Sequence, residues 1–188
     1  VYSIGWDRIR ISSVIEERDR LLSGLSFAQA ARQEGLSEAE LFCRLLADNG
    51  SRVGVILMSM DPADVDRVLT LPYVSVISDS LYGGGDMPHP RLYGSFPKFL
   101  REYVREKGLL SLEEAVAKMT ALPARRLGLG DRGMLAPGKK ADVLLFDPAS
   151  FTDGATVSEP KQLSAGLWKV FVNGREPEQL PGQVVSRS

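Results

Sequence analysis

Apolar runs of strand length alternate with amphipathic helical patterns through much of the chain. Residues 52–60 form a continuous apolar run, as expected for a strand that is buried on both faces. Asp61 and Pro62 then predict the start of a helix, and residues 73–78 form a second run with little polar content. A strand, a helix and a strand joined by short connections make a βαβ unit, which predicts parallel pairing of the two strands.

Signals for helix ends recur along the chain. Three pairs have the spacing of a capping box, in which a serine stands three residues before Glu or Gln: Ser26 with Gln29, Ser37 with Glu40, and Ser111 with Glu114. Residues 95–107 carry apolar side chains at helical spacing, and Gly108 is expected to end that helix. With a strand-like pattern in residues 1–14, these signals predict an α/β protein.

The pattern changes near residue 129. Glycines and prolines punctuate the chain up to Gly138, and residues 141–146 and 167–172 are then strand-like. Asn173 and Gly174, at the end of the second run, predict a tight hairpin turn. We therefore expect a small β-rich module after a shift in composition near residue 129.

The composition excludes several classes of function. The 188 residues are 44% hydrophobic and carry a formal net charge of -1, which argues against non-specific binding of nucleic acid. No apolar run approaches the length needed to cross a bilayer, so no membrane partner is expected. The single cysteine, Cys43, fits a reducing compartment, and we expect a cytoplasmic protein. Its position on a predicted helix indicates a buried, inert thiol.

Three stretches combine chemically specific residues. Residues 76–79 read Val-Ile-Ser-Asp, and residues 89–97 read His-Pro-Arg-Leu-Tyr-Gly-Ser-Phe-Pro. The third stretch contains Lys-Met-Thr at 118–120, Leu-Pro-Ala at 122–124 and Pro-Gly-Lys-Lys-Ala-Asp-Val at 137–143. Taken together, they resemble the N-acyl-D-amino-acid deacylase (D-aminoacylase) branch of the metal-dependent amidohydrolase superfamily.

The resemblance implies a fold and an activity. The fold would be the C-terminal part of a (β/α)8 TIM-like barrel in residues 1–126, with residues 73–78 as its eighth strand. Part of a small β-sandwich domain would follow in residues 127–188. The activity would be zinc-dependent hydrolysis of a small-molecule N-acyl-D-amino acid to a carboxylate and a free D-amino acid. Because a closed barrel takes roughly 200 to 250 residues and the chain begins with Val1, we expect a truncated chain that is inactive in isolation.

The same resemblance implies roles for individual residues. Asp79 would take a proton from metal-bound water and pass it to the leaving nitrogen; the alternative is a turn-forming Asp after a strand. Arg91 would bind the substrate carboxylate with its guanidinium, the alternative being a solvated loop arginine. His89 and Tyr93 are further candidates for substrate binding, with loop ordering and packing as the alternatives. Residues 83–85, all glycine, could form the joint of a moving lid.

Zinc ligands are scarce in this chain. The family's His-x-His pair, cysteine and further histidines lie before the eighth strand, whereas this chain contains one histidine and one cysteine. Because a catalytic zinc site needs about three protein ligands, we expect zinc in the full-length parent and none in this fragment. A cut barrel would expose strand edges, so we also expect self-association or pairing with the missing N-terminal region of the same chain.

Two other interpretations remain open. One is a different amidohydrolase, such as a dihydroorotase or a hydantoinase, which the His-Pro-Arg run at residues 89–91 disfavours. The other is a non-catalytic α/β module that binds a small carboxylate or mediates assembly. The upstream gene sequence distinguishes an enzyme from the non-catalytic module. A His-x-His pair after an early strand would support the enzyme, whereas a stop codon or an unrelated domain would support the module.

Overall fold

The computed structural model describes residues 4–81 and 87–176. The chain divides into two compact units, of which the first comprises residues 1–62, 79–93 and 155–162, and the second the remaining segments 63–78, 94–154 and 163–188. The glycines at 83–85 and the end of the expected β module lie outside the described residues. The boundary expected between residues 126 and 127 stays a prediction.

The first unit is built on a two-stranded sheet and two helices. Strand β1 (Ile9–Ser13) pairs with strand β2 (Gly54–Leu57) in antiparallel register. Helices α1 (Phe27–Glu34) and α2 (Glu38–Asp48) both begin at the predicted capping boxes. Short 3₁₀ helices complete the unit, and its core combines side chains of these elements: Ile11, Val14, Leu22, Phe27, Ala30, Ala31, Leu41 and Leu45.

The expected parallel βαβ unit is wrong for the part of the chain that the structure describes. The partner of β2 is the antiparallel β1, and residues 73–78 are extended without forming a strand. Nor is β2 buried on both faces, because Ile56 is buried whereas Val55 and Leu57 are 42% and 55% exposed. A run of apolar residues indicates strand propensity but carries no information on the direction of the partner strand.

Cys43 is exposed on α2, so the expectation of a buried thiol is also wrong. Leu41 and Leu45 form the buried face of this helix. Cys43 lies two positions from each of these leucines, which corresponds to about 200° around the helix axis. Its side chain therefore faces the solvent.

A buried polar network joins the residues after β1 to the end of α2. Asn49 Oδ1 accepts hydrogen bonds from the backbone N–H groups of Ile15 and Glu16, at 2.7 and 2.8 Å. Asn49 Nδ2 donates to Asp19 Oδ2 at 2.9 Å, and Arg44 Nη1 lies 2.9 Å from Asp19 Oδ1. Both Asn49 and Asp19 are almost fully buried. Their hydrogen bonds offset the cost of removing these polar groups from water.

The second unit contains parts of several helices and a second antiparallel sheet. Its core joins side chains that are distant in sequence: Val76, Phe99, Leu100, Tyr103, Ala115 and Phe151. No helix in residues 4–81 and 87–176 is long and apolar enough to cross a membrane. The remaining elements among the described residues are α3 (Pro62–Thr70), α4 (Arg91–Phe99), a π-helical continuation (Leu100–Glu106), α5 (Leu112–Met119), α6 (Ala121–Arg126), β3 (Val143–Phe146) and β4 (Leu167–Phe171).

The tight turn expected after β4 is confirmed. Asn173 and Gly174 have φ angles of 50° and 81°, the left-handed values of a type I′ turn. Val172 and Arg175 exchange two backbone hydrogen bonds across the turn, at 2.8 and 3.1 Å. β4 itself pairs with β3 in antiparallel register. The local sequence signal and the turn agree because two residues with positive φ are all that such a turn requires.

Asp66 on α3 is held by two donors from the π-helical region. Lys107 Nζ lies 2.5 Å from Asp66 Oδ1, and the Tyr103 hydroxyl donates to the same oxygen at 2.6 Å. These hydrogen bonds favour the ionised carboxylate and hold the pKa of Asp66 below its usual value. Burial, together with the neighbouring Asp66 carboxylate, raises the pKa of the Tyr103 hydroxyl.

The lowered pKa of Asp66 predicts a dependence of stability on pH. Its ionisation stabilises the fold above the unfolded pKa of about 4, and this contribution is lost as the pH falls through the lower folded pKa. We expect the free energy of unfolding of Asp66→Asn to fall less between pH 7 and pH 3 than that of the unsubstituted chain. Urea unfolding at both pH values measures this difference. Asp64→Asn on the same helix is the control, and an unchanged pH dependence in Asp66→Asn would contradict the assignment.

Candidate functional site

A cleft of about 400 Å³ lies in the first unit. Its lining combines β2 with the end of β1 and with the chain that leads into α4, and includes Ser12, Ser13, Ile56, Ser80, His89 and Arg91. Hydroxyl groups, an imidazole and one guanidinium therefore border an otherwise partly apolar surface. A cleft of this size and lining suits a small molecule that carries a negative charge.

Asp79 stands where the extended segment 73–78 ends. Its φ angle is 48°, a left-handed conformation that Asp adopts more readily than most residues. Asp79 Oδ2 lies 3.1 Å from Arg91 Nη1, and its side chain is 75% exposed. The next two residues, Ser80 and Leu81, line the cleft. The structure thus brings Asp79 into direct contact with Arg91, a residue of the cleft wall.

His89 caps the helix that carries Arg91. The Arg91 N–H donates to His89 Nδ1 at 3.1 Å, and the Leu92 N–H donates to the His89 carbonyl at 3.0 Å. Helix α4 consequently begins at Arg91 and not near residue 95 as expected. Pro90, which suits the first turn of a helix, is the sequence signal that marks this earlier start. His89 therefore orders the helix start and also lines the cleft.

Tyr93 lies in the first turn of α4 and is half-buried. Its N–H donates to the carbonyl of Pro90 at 3.1 Å. Among the described residues that line the cleft, Tyr93 does not appear, whereas Arg91 and His89 do. A role for Tyr93 in substrate binding stays a prediction.

Two serines of the cleft were not recognised from the sequence. Ser12 and Ser13 end β1, and their hydroxyl oxygens approach Gly54 so closely that a Cβ atom at that position would overlap with both. Gly54 therefore leaves the space in which the two hydroxyls lie beside the cleft. A glycine at the start of a strand can indicate such a close approach, and this signal was available in the sequence.

The described residues do not by themselves form a metal site. Within residues 4–81 and 87–176, no three His, Cys, Asp or Glu side chains come together as metal ligands would. Asp79 and His89 belong to the same region but lack a third ligand of this kind. The functional groups at the cleft are a carboxylate, a guanidinium, an imidazole and hydroxyl groups. These groups are suited to proton transfer and to binding of an anion.

Comparison with known proteins identifies related enzymes. The chain is 42% identical over 171 residues to the N-acyl-D-aspartate deacylase of Alcaligenes xylosoxydans xylosoxydans, covering 87% of the chain and 33% of that protein. It is 43% identical over 170 residues to the N-acyl-D-glutamate deacylase of the same organism, covering 87% of the chain and 34% of that protein. The chain thus spans about a third of the length of these curated relatives.

The fold agrees with the sequence comparison. The crystal structure of N-acyl-D-glutamate deacylase from Bordetella bronchiseptica, complexed with zinc and a phosphonate inhibitor, matches with a TM-score of 0.83 and 40% identity. This match covers 96% of the chain and 36% of that protein. The amidohydrolase family also matches directly, over residues 74–176, which is more than half of the chain. From this family match and the shared fold we conclude that the chain belongs to the amidohydrolase family.

Proposed function

We propose that the chain is the C-terminal portion of a zinc-dependent amidohydrolase that hydrolyses N-acyl-D-amino acids to a carboxylate and a free D-amino acid. The observation that carries this proposal is the pairing of Asp79 with Arg91 beside a cleft, at 3.1 Å, in a chain related to two deacylases. In this proposal residues 1–126 contribute to a (β/α)8 barrel and residues 127–188 to a small β-sandwich domain. Parallel pairs, which are absent among the described strands, would form with the rest of the longer protein.

Arg91 is proposed to bind the carboxylate of the substrate. Its side chain is 42% exposed and lines the cleft, so a ligand can reach the guanidinium. A guanidinium donates two parallel hydrogen bonds to a carboxylate, which fixes the orientation of the bound molecule as well as its charge. The relatives' names, which specify D-aspartate and D-glutamate derivatives, support a substrate with at least one carboxylate.

Asp79 is proposed to move the proton during hydrolysis. The oxygen of water adds to the amide carbon, Asp79 takes the proton released from that water, and the same proton goes to the nitrogen as the carbon–nitrogen bond breaks. The carbon then belongs to a carboxyl group, which gives up the second proton of the water and becomes a carboxylate, and the nitrogen belongs to the free amine. Since Arg91 contacts Asp79 in the structure, a substrate carboxylate has to share or replace this contact. The effects of changing Asp79 and Arg91 together are therefore not expected to add.

In this proposal, the zinc ligands come from the rest of the longer protein. The related Bordetella bronchiseptica structure contains zinc, whereas the described residues of this chain do not supply a set of metal ligands. The roles proposed for this chain are accordingly limited to proton transfer and substrate binding. Association of the chain with a second copy, or with an N-terminal region of the same polypeptide, stays a prediction.

An activity assay tests the proposed function. The protein encoded by the complete reading frame should release the D-amino acid from N-acetyl-D-glutamate, N-acetyl-D-aspartate or a neutral N-acetyl-D-amino acid, and not from the L-isomers. Hydrolysis of dihydroorotate or a hydantoin in place of these substrates would favour another amidohydrolase. A complete protein that binds small carboxylates without hydrolysing any of these compounds would favour the non-catalytic module.

The 188-residue chain by itself is expected to be inactive. Its described residues provide Asp79 and Arg91 without a metal-ligand set, and a catalytic zinc site requires about three protein ligands. We expect no release of D-amino acid from the N-acetyl substrates with added zinc, and less than one equivalent of zinc retained after dialysis. The complete protein is the control in the same assay. Turnover by the 188-residue chain, or one tightly held zinc ion, would contradict this prediction.

A further inference from the structure

The two serines of the cleft lie at an irregularity of the first sheet. Val55 and Gly54, which are successive residues of β2, pair with Ile11 and Ser13 of β1, so Ser12 is an extra residue. Such a β-bulge sets two residues of one strand against one residue of the other. Consecutive side chains of a regular strand point to opposite faces of the sheet. The bulge removes this alternation, because the hydroxyl oxygens of Ser12 and Ser13 both approach Gly54.

The backbone around these serines is held by other parts of the first unit. The Met87 N–H donates to the carbonyl of Ser12 at 3.1 Å. Just beyond β1, the buried side chain of Asn49 accepts hydrogen bonds from the N–H groups of Ile15 and Glu16. All of these residues belong to the first unit. The two hydroxyls are therefore carried by a backbone that is ordered before a ligand binds, which lowers the entropic cost of binding.

The wall of the cleft formed by β1 and β2 combines these hydroxyls with apolar side chains. Ser12 and Ser13 are half-buried, and the neighbouring Val55 and Leu57 are exposed. Arg91 is the only lysine or arginine among the described residues that line the cleft. Each serine hydroxyl can donate one hydrogen bond without carrying a charge. Two adjacent donors of this kind suit a ligand group with two acceptor oxygens, such as a carboxylate.

The function proposed above leaves one polar group of an acidic substrate without a partner. An N-acyl-D-amino acid with an acidic side chain has an α-carboxylate, an amide and a side-chain carboxylate. Arg91 is assigned to the α-carboxylate and Asp79 acts at the amide, so the side-chain carboxylate remains for the two hydroxyls. An apolar side chain at the same place would remove both hydroxyls from water without giving them a partner, which weakens binding.

We propose that Ser12 and Ser13 form a subsite for the side-chain carboxylate of the substrate. The complete protein consequently prefers N-acyl derivatives of D-aspartate or D-glutamate to those of apolar D-amino acids. This inference rests on the function proposed above, since it names the substrate class of the same site. Gly54 leaves the space for both hydroxyls, and the serines bind the substrate without taking part in proton transfer.

Steady-state kinetics of the complete protein test the subsite. Ser12→Ala combined with Ser13→Ala should raise KM for N-acetyl-D-glutamate at least about 10-fold and leave kcat within about threefold, because hydrogen bonds to a charged group are lost. KM for N-acetyl-D-methionine, whose side chain has similar length and no charge, should change less than about threefold.

Ser23→Ala is the matched control for these substitutions. Ser23 belongs to the same unit and does not appear among the described residues that line the cleft, so KM for both substrates should stay within about threefold. Equal increases in KM for the two substrates in the double serine variant would overturn the proposal. Hydrolysis of N-acetyl-D-methionine by an unsubstituted protein that does not hydrolyse N-acetyl-D-glutamate would overturn it as well.

Gly54→Ala tests the same subsite while keeping both hydroxyls. The added Cβ would lie 2.7 Å from Ser12 Oγ and closer still to Ser13 Oγ, so both hydroxyls have to turn away. KM for N-acetyl-D-glutamate should rise about as much as in the double serine variant. In a protein that already carries both serine substitutions, Gly54→Ala should change KM less than about threefold. An equal rise in the two backgrounds would show that the glycine does not act through the hydroxyls.

A binding measurement separates the subsite from the proposed function. In the complete protein with Asp79→Asn, calorimetry gives the Kd of N-acetyl-D-glutamate with little hydrolysis of the ligand. Adding both serine substitutions should raise this Kd at least about 10-fold and leave that of N-acetyl-D-methionine within about threefold. Unchanged Kd values would overturn the subsite even if the unsubstituted protein releases D-amino acids. If that protein releases none, the proposed function fails, while the difference in Kd still decides whether the subsite exists.

Discussion

Asp79→Asn in the complete protein is expected to lower kcat by roughly 10²- to 10⁴-fold and to leave KM nearly unchanged. The amide side chain has almost the same shape as the carboxylate but cannot accept the proton released from water or return it to the leaving nitrogen. An interaction that is made only during the reaction affects kcat, whereas ground-state binding is reflected in KM. Steady-state kinetics with an N-acetyl-D-amino acid measure both quantities.

Asp131 offers a matched control for this substitution. Asp131 Oδ1 lies 3.1 Å from Arg132 Nε, so it is an exposed aspartate in an ion pair of the same length as that of Asp79 with Arg91. Asp131→Asn should therefore leave kcat and KM nearly unchanged. An Asp79→Asn protein that retained full kcat and lost only substrate affinity would contradict proton transfer by Asp79.

Arg91→Ala is expected to act mainly on substrate binding. The guanidinium would contact the carboxylate in the ground state and in the transition state alike, so its loss should raise KM and change kcat little. A hydrogen bond to a charged group contributes about 1.5 to 3 kcal/mol, which corresponds to a rise in KM of roughly 10- to 150-fold. Arg91→Lys should restore only part of the affinity, because an ammonium group cannot form two parallel hydrogen bonds with a carboxylate.

A substrate without the carboxylate provides the control for Arg91. When the carboxylate is capped as an amide, Arg91→Ala should no longer raise KM. Because Asp79 and Arg91 are in contact at 3.1 Å, the effects of the two substitutions are not expected to add when they are combined. If both single variants lost kcat equally, with KM unchanged and the capped substrate equally affected, separate roles for the two residues would be wrong.

Features that depend on a few neighbouring residues were predictable from the sequence. The capping boxes at Ser26, Ser37 and Ser111 are present as expected, because each requires only one hydroxyl and one carboxylate or amide three residues apart. The turn at Asn173 and Gly174 follows from the ability of these two residues to adopt positive φ angles. Motifs such as that at residues 89–97 were also sufficient to indicate the amidohydrolase family.

The partners of these local elements were decided by the tertiary structure alone. The apolar run around Ile56 predicted a strand, but its antiparallel pairing with β1 depends on contacts between residues far apart in the chain. Likewise, the ion pair of Asp79 with Arg91 has no sequence signature. Helix starts and turns are set by backbone geometry within about four residues, whereas strand direction and long-range polar contacts are set by which surfaces pack together when the whole chain folds.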